Sequence, residues 1–140
     1  TLCELVKQEL SPCLMVHDKY IGRGVTLGRD RRVDYVIQHL KFLQKWGNRQ
    51  TQLFHRLWYA ALIEARSCER VRLLSEELED KELADFYRNL MVSEANHYTM
   101  FLGFARQYGE KKEVDTKWRQ LLEYESKIIS NLGTGEAIHG

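Results

Sequence analysis

Apolar residues recur along most of the chain at intervals of three, four and seven positions, a spacing typical of helices that bury one face. Pro12 falls inside the first of these stretches, so we expect it to kink or split that helix. The sequence shows neither alternating apolar and polar residues nor a two-residue hairpin turn, and we therefore predict an all-α fold. The predicted helices cover about 2–21, 33–46, 50–78, 81–108 and 112–132.

The two longest predicted helices are joined by a very short connection near Glu79 and Asp80. A helix of about 28 residues is about 42 Å long, since each residue adds about 1.5 Å. So short a connection between helices of this length makes them antiparallel neighbours. Such a pair is half of a four-helix bundle, and we predict a bundle with additional short helices.

Between the first two predicted helices, residues 22–32 contain three glycines and four arginines. This composition predicts a loop with a basic surface, which is more often simply solvated than bound to a partner. If the protein binds RNA, the best candidates for contacts to phosphate are the arginines of this loop: Arg23, Arg29, Arg31 and Arg32.

The length of 140 residues predicts a single domain over residues 1–140. Lysine and arginine total 21 against 20 acidic residues, so the net charge of +1 creates no overall field that attracts nucleic acid. The three cysteines are odd in number and far apart, which predicts reduced thiols and a cytoplasmic protein. No apolar stretch reaches the ~18 residues of a membrane span, so we expect no membrane partner.

Carboxylates interrupt the apolar faces of the two long helices. Glu94 lies three and four residues after Met91 and Leu90, and His97 follows on the same face. An unpaired buried carboxylate costs several kcal/mol, so Glu94 needs a cation or a strong hydrogen-bond partner. The Glu-x-x-His spacing lets one helix offer a carboxylate and an imidazole to the same metal ion.

The facing helix carries Glu64 in the middle of its small and apolar residues. Glu64 and Glu94 lie at similar distances from the short turn, so an antiparallel pair places them at similar heights. Glu69 lies about 140° further around the helix, at the edge of the apolar face. The sequence therefore predicts a metal site at Glu64, Glu94 and His97, although the same spacing also occurs by chance in metal-free helices.

The other histidines have no carboxylate at ligand spacing within an apolar face, so we expect them at the surface or at helix ends: His17, His39, His55 and His139. Cys68 lies on the packing face with no histidine near it in sequence. We expect it to be an inert core thiol rather than a nucleophile.

Three segments resemble the MiaE family of tRNA 2-methylthio-isopentenyladenosine hydroxylases: AALIEARSCER at 60–70, FYRNLMVSEANHY at 86–98 and RGVTLGR at 23–29. The resemblance extends from Met15 to Gly140. It implies a ferritin-like four-helix bundle with two non-haem irons bridged by carboxylates. It also implies oxygen-dependent hydroxylation of the isopentenyl side chain of a hypermodified adenosine, with tRNA, dioxygen and an external electron donor as partners.

The resemblance also implies metal ligands. Glu94 and His97 match the family's second E-x-x-H pair. The family's single carboxylate matches either Glu64 or Glu69: periodicity favours Glu64, whereas a glutamate directly after a cysteine, as in the other half of the family's site, favours Glu69. Both remain candidates at this point.

The N-terminal stretch departs from the family pattern. The family's first E-x-x-H pair falls on residues 9–12, where Glu9 is retained as a candidate ligand and Pro12 replaces the histidine. The family's first bundle helix, with its own metal carboxylate, is expected before Thr1. Either an N-terminal segment is missing or the protein is a degenerate member of the family. We expect an N-terminally incomplete bundle with too few ligands for a complete di-iron site.

Two other functions are compatible with the residues. Another ferritin-like di-iron oxidase or peroxidase would use the same ligands without RNA contacts. A metal-free helical module that binds RNA or protein would engage Glu94 and His97 in ordinary hydrogen bonds. Iron content separates the module from both enzymes, and salt-dependent binding of modified tRNA separates the hydroxylase from the other oxidases.

Overall fold

The computed structural model describes residues 2–26, 28, 34–44 and 52–131. This part of the chain contains helices and no strand, which confirms the all-α prediction. The chain divides into two compact units, Thr1–Arg32 and Val33–Gly140, and the prediction of a single domain stays a prediction. The helices are α1 (Leu2–Gly22), α2 (Asp34–Gln44), α3 (Gln52–Glu77), α4 (Lys81–Tyr108) and α5 (Lys111–Asn131).

In the first unit, α1 runs through Pro12 without interruption, so the predicted split is wrong. A proline inside a helix removes one backbone hydrogen bond, but its fixed φ near −65° is itself helical. The helix ends at Gly22, and Gly24 follows with a φ of 66°. This left-handed conformation suits glycine and lets the Val25 amide donate back to the Tyr20 carbonyl at 3.0 Å.

In the second unit, α3 and α4 form the most extensive contact between helices. Asp80 caps the start of α4, where its side chain accepts a hydrogen bond of 3.0 Å from the Leu83 amide. The turn of three residues between the helices makes them antiparallel, as predicted. No helix in the described ranges, these two long ones included, is apolar enough along its length to cross a membrane.

The core of the second unit lies where α5 meets α2, α3 and α4. It contains Leu43 of α2, Trp58 and Leu62 of α3, Leu102 of α4 and Leu121 of α5. Burying one such side chain stabilises the fold by about 1.5–3 kcal/mol. The core therefore ties the long helix pair to the two shorter helices.

The inner face of α2 differs from the one that its apolar residues predict. That spacing favours Val36, Ile37, Leu40 and Leu43. Leu43 is buried as expected, but Leu40 is 44% exposed, whereas Tyr35 and His39 are buried. The reason is that the Tyr35 hydroxyl bonds to Glu125 inside the unit, and His39, one turn later on the same face, bonds through Nδ1 to the Tyr35 carbonyl.

Candidate metal centre

The antiparallel helix pair brings two glutamates to the same level. Glu64 lies fourteen residues before Leu78, and Glu94 lies fourteen residues after Asp80. Each is therefore about 21 Å along its helix from the turn, since each residue adds about 1.5 Å. The side chains meet across the contact between α3 and α4, where His97 joins them.

Glu64, Glu94 and His97 form a compact cluster, which we call the carboxylate cluster. Each residue offers one ligand atom, and these atoms all lie within 4.8 Å of one another. His97 Nδ1 and Glu64 Oε2 are 3.7 Å apart, which is longer than a hydrogen bond. Both atoms are shielded from solvent, and His97 is only 3% exposed.

The donor set of the carboxylate cluster fits a divalent metal ion. Two carboxylates and an imidazole are the donors that helical bundles offer to iron. With bonds of about 2.1 Å, two donors on one ion lie at most about 4.2 Å apart, so a spread of 4.8 Å calls for small side-chain movements. Three donors are fewer than the ferritin-like di-iron bundles supply to two irons.

Cys68 lies beside the carboxylate cluster. Its Sγ donates a weak hydrogen bond of 3.7 Å to the Met91 carbonyl. Burial, and then the negative charge of Glu94, raise the pKa of the Cys68 thiol. The thiol is therefore neutral near pH 7, in agreement with the expected absence of nucleophilic character.

Glu69, the alternative to Glu64, points elsewhere. Its side chain is 51% exposed and forms an ion pair with Arg66, one turn earlier on the same helix. It is not among the residues that converge with Glu94 and His97. The geometry favours Glu64, and the role of either residue as a ligand stays a prediction.

The remaining candidate residues belong to the first unit or to its end. The backbone of Glu9 lies in α1, but its side chain lies outside the described residues, as do Arg29, Arg31 and Arg32. Arg23 is exposed just after α1. The predicted role of Glu9 as a further carboxylate ligand and the predicted RNA contacts therefore stay predictions.

The expectation of surface histidines is wrong at two positions. His17 is exposed as expected, but His39 is fully buried and His55 is 8% exposed, while His139 lies outside the described residues. Burial lowers the pKa of both His39 and His55. His39 is held by its ring contact with Tyr35, at a centroid distance of 4.2 Å.

The sequence reasoning missed a second polar cluster, formed by Tyr35, Arg66 and Glu125. Glu125 is fully buried on α5 and accepts hydrogen bonds from both other residues. A signal was present, because Glu125 lies four residues after Leu121 and three before Ile128, inside the apolar stripe of α5. A carboxylate at that position requires a buried partner.

Comparisons with known proteins identify a family and two similar proteins. The family model described as tRNA-(MS2IO6A)-hydroxylase (MiaE) matches residues 1–140. The tRNA 2-(methylsulfanyl)-N(6)-isopentenyladenosine(37) hydroxylase of Salmonella typhimurium is 31% identical over 125 residues, which are 89% of this chain and 45% of that protein. The protein of the same name from Pseudomonas putida is 44% identical over 63 residues, which are 45% of this chain and 30% of that protein.

The chain thus spans less than half the length of these curated relatives. The family match nevertheless covers all of it, including the α3 and α4 segments that carry the carboxylate cluster. The all-α architecture with its long antiparallel pair agrees with a ferritin-like bundle, as predicted. On these grounds the chain belongs to the MiaE family.

Proposed function

We propose that this chain serves in a tRNA hydroxylase that adds an oxygen atom to the isopentenyl side chain of 2-methylthio-isopentenyladenosine. The observation that carries the proposal is the convergence of Glu64, Glu94 and His97 across the contact between α3 and α4. Membership of the MiaE family and the names of the two relatives support the tRNA substrate.

We propose the carboxylate cluster as ligands of a non-haem di-iron centre. Bound iron supplies the activation of dioxygen that C–H hydroxylation requires. Of the two alternatives, Glu64 rather than Glu69 is the proposed ligand of α3, because it lies beside Glu94 and His97. Glu9 is proposed as a further carboxylate on the strength of the family pattern.

The chain's own residues hold and shield this centre. His97 is 3% exposed and Ala61, three residues before Glu64, is fully buried, so the packed side of the site excludes water. Exclusion of water keeps a reactive centre from unproductive side reactions.

The proposed partners follow from the reaction. Hydroxylation by dioxygen places one oxygen atom in the product and reduces the other to water, which consumes two protons and two electrons from an external donor. The tRNA phosphates are proposed to contact the basic loop that includes Arg23, Arg29, Arg31 and Arg32. Since the substrate is a tRNA, we place the reaction in the cytoplasm.

Metal analysis combined with an activity assay tests the proposal. The full-length protein is expressed with iron, and bound iron and conversion of modified tRNA are measured in the native protein, in Glu94→Ala and in His97→Ala. We expect both variants to lose at least about ten-fold in bound iron and to keep their helical spectrum, because each removes a ligand atom. His17→Ala is the matched control, since His17 is exposed on α1.

Each other result favours a specific alternative. Full iron in both ligand variants would refute the site. Iron without conversion of modified tRNA would favour another ferritin-like oxidase or peroxidase. No iron in the native protein would favour the metal-free helical module that binds RNA or protein.

A further inference from the structure

The second polar cluster joins three helices through one buried carboxylate. Arg66 of α3 donates from Nε to Glu125 Oε1 at 2.5 Å and from Nη2 to Glu125 Oε2 at 2.6 Å. Tyr35 of α2 donates its hydroxyl to Glu125 Oε1 at 2.5 Å. We call these three residues the Arg66 clamp, because the planar guanidinium grips both carboxylate oxygens at once.

The Tyr35 hydroxyl stays protonated, and so stays a hydrogen-bond donor, across the physiological pH range. Burial, together with the hydrogen bond to Glu125, raises the pKa of Tyr35 far above its ordinary value, so its hydroxyl remains a donor. Arg66 is a cation because a guanidinium keeps its charge at any physiological pH. A group of donors that does not titrate suits a fixed mechanical role rather than a switch.

Stability alone does not explain a clamp of this kind. Removing two charges from water is costly, and well-packed apolar residues in place of a buried ion pair are often as stable or more stable. Apolar contacts have no preferred direction and tolerate sliding of one helix along another. Two parallel hydrogen bonds, in contrast, fix the angle and height of a helix. The main contribution of the clamp is therefore to fix the angle and height of the helices that it joins.

The geometry that the clamp fixes concerns the helix that carries Glu64. Arg66 lies two residues after Glu64, and two residues correspond to about 200° around a helix, so the side chains leave α3 on opposite sides. Glu64 points towards His97, while Arg66 points towards α5 and α2. Both residues lie within one turn of the same helix.

A small rotation of α3 is enough to disturb the carboxylate cluster. A side chain reaches about 5–6 Å from the helix axis, so a rotation of about 10° moves a carboxylate by about 1 Å. Functional constellations tolerate only about 0.5 Å of displacement. The rotation of α3 therefore has to be fixed more tightly than apolar packing by itself requires.

We propose that the Arg66 clamp is a positioning device that fixes the rotation and height of α3 and thereby places Glu64 against Glu94 and His97. Arg66, Glu125 and Tyr35 act through α3 and do not touch the metal ligands in this role. The inference rests on the metal centre proposed above and adds three residues that support it from the far side of the helix.

Cobalt binding tests the clamp without any need for activity. The probe is Co²⁺, whose visible absorption spectrum reports ligand number and geometry, and it is titrated into the chain. The test variant combines Arg66→Met with Glu125→Leu, which replaces the ion pair by apolar side chains. We expect native helicity and a similar unfolding midpoint, but Co²⁺ affinity about ten-fold weaker and an altered spectrum.

The matched control removes a different ion pair of the same unit. Arg106 of α4 donates to Asp115 of α5 at 2.9 Å. This pair is partly exposed, and Arg106 lies in the last turn of α4, away from the carboxylate cluster. The combined Arg106→Met and Asp115→Leu variant is expected to bind Co²⁺ with native affinity and spectrum. Native Co²⁺ binding by the clamp variant as well would overturn the positioning role.

Two further outcomes have defined meanings. If the native chain binds no Co²⁺, the metal centre itself is refuted, and the positioning role with it. If the double variant does not fold, Tyr35→Phe and Glu125→Gln take its place, because each removes or weakens a hydrogen bond while keeping the shape of the side chain. We expect about three-fold weaker Co²⁺ binding in each, and unchanged binding in both overturns the proposal.

Discussion

The two polar clusters on either side of α3 handle buried charge in different ways. In the Arg66 clamp, both oxygens of Glu125 accept hydrogen bonds from the protein's own cation at 2.5 and 2.6 Å. In the carboxylate cluster, two glutamates face one imidazole, and the contact between His97 and Glu64 is 3.7 Å long. In the clamp, a protein cation balances the carboxylate charge, whereas the carboxylate cluster has the donor set of an ion-binding site.

This difference indicates separate roles for neighbouring residues of one helix. A carboxylate that arginine neutralises at hydrogen-bond distance holds the two helices in one relative orientation. Carboxylates and imidazole gathered at metal-ligand distances offer lone pairs to a cation. Glu64 and Arg66 are two residues apart, yet Glu64 faces His97 and Arg66 faces Glu125.

Substitution of the two glutamates of α3 should give the greatest difference in bound iron and activity. Glu64→Gln should lower bound iron at least about ten-fold and tRNA hydroxylation by about 100-fold, since it removes an anionic donor from the carboxylate cluster. Glu69→Gln should keep native iron and activity, because Glu69 is exposed and bonded to Arg66. Iron analysis and mass spectrometry of the nucleoside measure both. Loss of iron in Glu69→Gln alone would assign the ligand to Glu69 instead.

A smaller effect, on the free energy of unfolding, comes from removing the carboxylate of the clamp while keeping Arg66. Glu125→Leu leaves the Arg66 guanidinium without its buried carboxylate, and we expect a loss of about 3 kcal/mol in the free energy of unfolding. This is the low end for a broken buried pair, because Glu69 stays beside Arg66. Urea unfolding followed by circular dichroism measures the change. A loss below about 1 kcal/mol would place the pair in the class of surface ion pairs.

The smallest effect concerns His39, at the edge of the clamp. Burial lowers its folded-state pKa below the ordinary 6.5, and its Nδ1 donates to the Tyr35 carbonyl at 2.8 Å. Because the unfolded chain binds the proton more readily, the stability from neutral His39 is present above about pH 6.5 and is lost as the pH falls towards the lower folded-state pKa.

Substitution of His39 should therefore flatten the pH dependence of stability. We expect the loss of unfolding free energy between pH 7.5 and 5.5 to be about 1 kcal/mol smaller in His39→Gln than in the native chain. His55, whose pKa burial also lowers, is present in both proteins and contributes equally. Identical pH profiles would show that His39 accepts a proton inside the fold without cost.

The sequence alone predicts the helices and brings Glu64, Glu94 and His97 together, while it leaves Glu69 as an alternative ligand. Helical spacing reports which face is apolar, and the short connection at Asp80 makes α3 and α4 antiparallel. Those two facts place Glu64 and Glu94 at one height and His97 on the same face, before any contact is known. The family resemblance likewise depends on local strings of residues, and the family match agrees with it.

The pairing of buried polar residues depends on contacts between helices that are distant in sequence. Tyr35 and Glu125 are 90 residues apart, and Arg66 and Glu125 are 59 residues apart, so no local pattern links them. The inner face of α2 is set by those partners, which is why His39 is buried in place of Leu40. Periodicity reports hydrophobicity along one helix, whereas the burial of a charge depends on what another helix brings to it.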